Sequence, residues 1–219
     1  MVARIGDWLN ERFGWRGVWD AIFLRQVPHV NWFYTLGSAT LFLAVNQAIT
    51  GILLTLYYVP TPDHAYDSVV YITTQLPAGW FIRGLHHWGA SAMVVVTVLH
   101  LLRVFFYGAY KFPREATWIT GVLLLMIVIG FGFTGYLLPW DQKAYWATTV
   151  GTQIAGVAPF VGDYLLRIAR GGEGLSAVTL ARFFGTHIWV LPASLAALVG
   201  IHLYLVIRIG ISAVPKKGE

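Results

Sequence analysis

The chain contains no cysteine, and only 11% of its 219 residues are charged. The missing thiol excludes disulfides, thiolate metal sites, iron–sulfur ligation and any thioether to a prosthetic group. So low a share of charge, beside 57% hydrophobic residues, excludes an ordinary water-soluble domain. A continuous apolar leader is also lacking. Arg4, Asp7, Glu11, Arg12, Arg16, Asp20 and Arg25 interrupt the N-terminal stretch, so it does not read as a cleavable signal peptide. Walker motifs, nucleophile–base arrangements and low-complexity segments are absent too.

What lies between the sparse charges is long apolar runs. About 20 such residues cross a bilayer as a helix. Residues 36–59, 84–102, 116–140 and 183–207 therefore predict four transmembrane helices, the first to fourth spans. The expected fold class is an all-α membrane protein, a four-helix bundle forming one domain over residues 1–219. The charge-free stretch 144–162 holds Gly151, Gly156, Pro159 and Gly162, which suit a spanning helix poorly. It is assigned, with the rest of the connection between the third and fourth spans, to surface helices. Trp8, Leu9, Phe13, Trp15, Val18, Trp19, Ile22 and Phe23 recur at roughly helical spacing among the N-terminal charges. They predict an amphipathic helix on the membrane surface, a short helix packed on a partner being the other reading.

Four spans put both termini on one side. Arg4, Arg12, Arg16, Arg25, Arg103, Lys111, Arg114, Arg208, Lys216 and Lys217 fall there, against Arg83, Lys143, Arg167, Arg170 and Arg182 on the other. This bias predicts both termini on the cytoplasmic, negative side of an energy-transducing membrane, bacterial plasma or thylakoid-type. The net charge of +5 thus reports orientation, not nucleic-acid binding.

Five of the seven histidines fall in spans: His86, His87, His100, His187 and His202. An ionisable side chain inside a membrane marks function, although any single one could make an interhelical hydrogen bond. His86 and His100 are 14 residues apart, about 40° short of four turns, so they share a face of the second span. His87 points elsewhere. His187 and His202 are 15 apart, about 60° past four turns, a mismatch that a kink at Pro192 is expected to absorb. The second and fourth spans run parallel, so His86 lies level with His187 and His100 with His202. Zinc wants four ligands, or three and water. A planar macrocycle wants two imidazoles on opposite faces, and heme iron is commonly held by axial histidine. Two hemes between two histidine pairs are therefore expected.

Glycines support this. Gly37 and Gly51 on the first span are 14 apart, as are Gly121 and Gly135 on the third. Gly51 and Gly135 fall level with His86 and His187, and Gly37 and Gly121 with His100 and His202. Glycine lets a backbone approach a bulky plate closely. Arg83, Arg103 and Arg114 flank the histidine levels and suit heme propionates, unless they merely end the spans. Residues 130–135 match G-x-G-x-x-G, but in the middle of a span with no preceding strand, so the dinucleotide reading fails.

Several stretches carry a resemblance that runs over roughly residues 15–215. They are Asn31-Trp32-Phe33-Tyr34-Thr35-Leu36-Gly37, Arg83-Gly84-Leu85-His86-His87-Trp88-Gly89-Ala90, and Lys111-Phe112-Pro113-Arg114-Glu115-Ala116-Thr117-Trp118. The most specific is Gly135-Tyr136-Leu137-Leu138-Pro139-Trp140-Asp141-Gln142, followed by Tyr145-Trp146. The chain resembles cytochrome b6, the N-terminal diheme half of the cytochrome b of quinol–cytochrome c and plastoquinol–plastocyanin reductases. The spacing of His187 and His202 is that of the b6 and Gram-positive type.

The resemblance implies electron transport in a Q cycle. Quinol is oxidised at the outer face, and one electron crosses through the heme of His86 and His187 to that of His100 and His202, reducing quinone at the inner face. Tyr136, Pro139, Trp140, Tyr145 and Ala147 would line or support the quinol-oxidation pocket. Expected partners are a Rieske iron–sulfur protein, a c-type cytochrome, and a subunit bearing the C-terminal half of cytochrome b, whose Pro-Glu-Trp-Tyr motif does not occur here. The whole would be a homodimeric complex in a lipid membrane. Relatives of the b6 type tether a further heme through a cysteine in a Tyr-Cys-Leu-Gly stretch. Thr35 stands there, so two noncovalent b hemes and no covalent one are expected, with a noncovalent third left open. Two other classes fit the sequence less well. A diheme anchor of a membrane dehydrogenase is opposed by the long connection with Leu138-Pro139-Trp140. A heme-free transporter or channel is opposed by the matched glycine and histidine levels.

Overall fold

The protein is described by a computed structural model over residues 2–23 and 31–212. Among these residues every regular element is helical. Two short helices, α1 (Val2–Phe13) and α2 (Trp15–Phe23), come first. A 3-10 turn (Trp32–Thr35), capped by the Asn31 side chain on Phe33 N–H, leads into α3 (Leu36–Thr55). Then follow α4 (Ala65–Thr74), α5 (Gly79–Phe106) and α6 (Glu115–Leu137). The connection after α6 carries α7 (Gln142–Gly156) and α8 (Gly162–Arg170), and α9 (Ala177–Gly185) runs through a π turn (Thr186–Val190) into α10 (Leu191–Ile209).

Four helical stretches are long and apolar enough to cross a membrane: Trp32–Thr55, Gly79–Phe106, Glu115–Leu137 and Ala177–Ile209. They are the four spans the sequence predicts, with shifted ends. The second begins five residues before the expected residue 84, which puts Arg83 inside α5. The third stops at Leu137, because Leu138 to Trp140 turn away and Trp140 takes a left-handed φ of 53°. Apolar pattern alone does not register such ends, since a turn of Leu, Pro and Trp is as hydrophobic as the helix before it. Residues 144–162 form no span but α7 and the start of α8, as expected. Arg25, Lys216 and Lys217, on which the charge asymmetry partly rests, lie outside the described residues.

The bundle is built from two tight pairs, α3 on α5 and α6 on α10, joined through α5 and α6. Its outside is apolar: Phe42, Ile52, Val95 and Met126 are all exposed. That exterior suits hydrocarbon, where burial in water would otherwise be demanded. In the connection after α6, polar contacts join the buried apolar side chains of Ala144 and Leu180. Asp141 caps α7 through Ala144 N–H at 2.8 Å. Buried Arg170 donates to Thr152 Oγ1 and to the carbonyls of Thr149 and Glu173, tying α8 to α7 and the following loop. The Thr179 hydroxyl closes α9 onto the Arg170 carbonyl at 2.6 Å.

Candidate functional site

Helix α5 carries His86 and His100; the fourth span carries His187 and His202. The rings of His86 and His187 meet edge-on, with centroids 6.3 Å apart and planes 72° apart. His100 lies 14 residues further along α5, about 21 Å, and His202 lies 15 residues beyond His187 on the fourth span. His87 is exposed and turned onto Trp88, at 5.4 Å between ring centroids.

The 15-residue step from His187 to His202 is accommodated by the π turn. There the Leu191 N–H bonds to the Thr186 carbonyl, five residues back instead of four. A π turn takes one residue more than an α turn, so the step behaves like the 14 of α5. The π turn, and not a kink at Pro192, is the feature that takes up the extra residue. Pro192 lies just past the turn, where its missing N–H demands no α-type partner.

Each glycine of the register backs one imidazole. A Cβ on Gly51 would stand 3.2 Å from His86 Cε1, and on Gly37 3.1 Å from His100 Cε1. On Gly135 it would stand 2.7 Å from His187 Cε1, and on Gly121 3.5 Å from His202 Cε1. The levels match those read from the sequence, but the close approach is to the histidine ring itself. The backbone of each glycine thus comes close to Cε1, the carbon between the two ring nitrogens, most tightly at Gly135 and least at Gly121. Sequence reasoning missed the threonines beside these glycines. Thr50, Thr134 and Thr120 meet Nδ1 of His86, His187 and His202 at 2.9, 3.0 and 2.9 Å. The signal was present as a Thr-Gly dipeptide recurring three times on the non-ligating helices.

This donor set fits a bis-histidine heme. Among the described residues no group of three or more His, Cys, Asp or Glu could hold an ion, so a tetrahedral protein-ligated metal does not fit. Arg103, one turn past His100, fits an acidic substituent. Its Nε and one Nη are buried without a partner, and its guanidinium lies 3.4 Å over the Tyr34 ring, whose hydroxyl is likewise unpartnered. Arg83, one turn before His86, is half-buried. Arg114 is engaged differently: it donates to the carbonyls of Gly210 and Ile211, at 3.0 and 3.3 Å, and so caps the end of α10. The ion pairs among the described residues lie in the N-terminal helices and α8, so none draws a carboxylate to these three arginines.

Beyond α6, Tyr136 and Ala147 are exposed, while Pro139, Trp140 and Tyr145 are half-buried. Trp140 packs edge-on to Tyr145 at 6.1 Å. Tyr58, unremarked in the sequence, donates to the Leu138 carbonyl at 2.6 Å and lies 5.5 Å from the Phe184 ring. It ties the ends of three spans together beside this segment.

An integral membrane bundle of four helices, with paired histidines on two of them and ring-backing glycines on the other two, is the architecture of a membrane b-type cytochrome. Comparison with known proteins agrees. The family described as Cytochrome b/b6/petB matches residues 22–210. The chain is 46% identical to the menaquinol:cytochrome c reductase cytochrome b subunit of Geobacillus thermodenitrificans, over 97% of this chain and 99% of that one. It is 44% identical to cytochrome b6 of Prochlorococcus marinus (strain MIT 9515), over 96% and 97%. A solved chain of a hyperthermophilic respiratory Complex III superposes with a TM-score of 0.85 at 36% identity, covering 97% of this chain and 58% of that one. The chain belongs to the cytochrome b/b6 family, whose prosthetic group is heme b.

Proposed function

We propose that this chain is the diheme subunit of a quinol–cytochrome c or b6f-type oxidoreductase, carrying electrons across the membrane from a quinol-oxidising face to a quinone-reducing one. The observation that carries the reading is the one-to-one backing of four histidines by four glycines at two levels of one bundle. Bound heme b supplies reversible one-electron carriage. His86 and His187 hold the group on the side we call outer, and His100 and His202 the one on the inner side. The glycine backbones fix ring position, and the threonine hydroxyls accept from Nδ1, leaving Nε2 to ligate. Arg83 and Arg103 offer cations to the acidic substituents.

On the outer side, Tyr136, Pro139, Trp140, Tyr145 and Ala147 form part of a quinol pocket; their mixture of exposed and half-buried aromatics suits a flat ring ligand at the interface. The positive-inside bias puts both termini on the cytoplasmic, negative side. Partners are the bilayer, a subunit with the remaining cytochrome b helices, a Rieske protein and a c-type cytochrome, in a homodimeric complex. Two facts support a place in a multi-subunit complex beside further helices: a relative of closely similar length is named as a subunit, and the superposed Complex III chain is the longer one. Both hemes are noncovalent, since the chain has no thiol.

The test is made on the purified complex. Reduced-minus-oxidised spectra and acid–acetone extraction should give two extractable b hemes on this subunit, with none left on the denatured polypeptide. His187→Ala should lose one of the two while His87→Ala keeps both. Bulky replacements at Ala147 should depress quinol oxidation with heme content unchanged. Loss of a heme in His87→Ala but not in His86→Ala would refute the ligand assignment.

A further inference from the structure

The four histidines differ in what holds Nδ1. For three of them it is the hydroxyl of the threonine preceding the backing glycine: Thr50 on His86, Thr134 on His187, Thr120 on His202. Each hydroxyl also has a carbonyl of its own helix within hydrogen-bond distance. Thr50 donates to the Asn46 carbonyl at 2.6 Å, Thr134 to Gly130 at 2.8 Å, and Thr120 to Thr117 at 2.9 Å. With the hydroxyl proton on that carbonyl, the threonine oxygen accepts from Nδ1–H, the tautomer that keeps a free lone pair on Nε2.

The fourth position breaks the pattern. Gly37 backs His100 as closely as Gly51 backs His86, but the preceding residue is Leu36. Leucine has no acceptor, and His100 Nδ1 is buried with no hydrogen-bond partner. The outer pair is therefore anchored on both sides, and the inner pair on one.

We propose that the residue before each backing glycine sets the donor strength of the histidine it faces, and that Leu36 makes His100 the weakest donor of the four, biasing electrons toward the inner heme. The inference rests on the heme reading above. Donation from Nδ1–H pushes electron density toward Nε2 and makes the ring a stronger base. A stronger ligand stabilises the ferric ion, whose charge is higher, and lowers its potential. With one donation missing, the inner site is the easier to reduce. An electron arriving between His86 and His187 then moves downhill to the side of His100 and His202.

The experiment is potentiometry of each heme in the intact complex, followed optically, for wild type, Leu36→Thr, Leu36→Val, Thr134→Val and Thr134→Ser. Leu36→Thr should lower the inner potential, changing its reduced-to-oxidised ratio at a fixed ambient potential by about threefold to tenfold, the upper figure being 59 mV for one electron. Leu36→Val should leave it in place. Thr134→Val should raise the outer potential, and Thr134→Ser, which keeps the hydroxyl, should not. Equal shifts in the Thr and Val variants at position 36, or an unmoved outer potential in a Thr134→Val complex that retains both hemes, would overturn the proposal. Should Leu36→Thr fail to assemble, the Thr134 pair decides alone. Wild type without two b hemes would refute the heme reading instead.

Discussion

At the residue scale, the clearance behind the four imidazoles is unequal. A methyl on Gly135 would fall 2.7 Å from His187 Cε1, closer than real Cβ contacts allow, whereas on Gly121 it would meet His202 at an ordinary 3.5 Å. The His187 ring cannot retreat without leaving the level of His86. Gly135→Ala should therefore cost about 1–3 kcal/mol, as overpacking does, and should deplete the outer heme. Gly121→Ala should retain both hemes. Heme-to-protein ratios of the two purified variants check this, and equal loss in both would contradict the geometry. A second constraint at this scale is Gly79, where a side chain would run into the Ile72 carbonyl after the left-handed Ala78. It sets the start of α5 and hence the height of His86.

At the scale of the element, the π turn decides whether the fourth span presents its two histidines together. Periodicity read along the sequence leaves His187 and His202 about 60° out of phase. The turn at Thr186–Val190 removes most of that by taking up one residue. A one-residue deletion at Val190 should convert it to a regular α turn with a 14-residue step, and both hemes should still bind. A one-residue insertion at the same place should rotate one histidine a further 100° or so and lose a heme. Optical heme counts on the two variants distinguish the outcomes, and equal tolerance of insertion and deletion would rule the π turn out as the compensating element. The surface helices show a different economy. Hydrogen bonds from one buried arginine, Arg170, tie α8 to α7, beside the buried apolar side chains of Ala144 and Leu180.

At the scale of the whole molecule, four spans place the turn after α5 and the loop between α8 and α9 on opposite faces. The lack of native cysteine makes this directly measurable. A single cysteine at Lys111 should react with an impermeant maleimide only from the cytoplasmic, negative side, and one at Glu173 only from the other. Labelling of both from one face would refute either the number of spans or the orientation. The packing explains why the bundle tolerates an exterior of Phe42, Ile52 and Met126: its specificity lies in the interior register of glycine, threonine and histidine, while lipid accepts almost any apolar surface.

The spans, the histidine levels and the matched glycine spacing were legible in the sequence, because each follows from hydropathy or from the fixed angle and rise of a helix. Composition alone excluded a thioether. Tertiary structure decided the rest, for reasons that no one-dimensional period records. Whether a glycine admits a cofactor or a ring depends on which neighbouring helix lies behind it, and here it is the histidine edge. That Thr50, Thr120 and Thr134 reach Nδ1 while Leu36 leaves His100 bare is a relation between separate helices. Arg114, which reads as a free cation near a span end, is committed to carbonyls some 96 residues away in the chain. Hydrophobic pattern settles which segments enter the membrane; packing between them settles which atoms meet, because a helix fixes the direction of its own side chains but not the identity of what stands opposite.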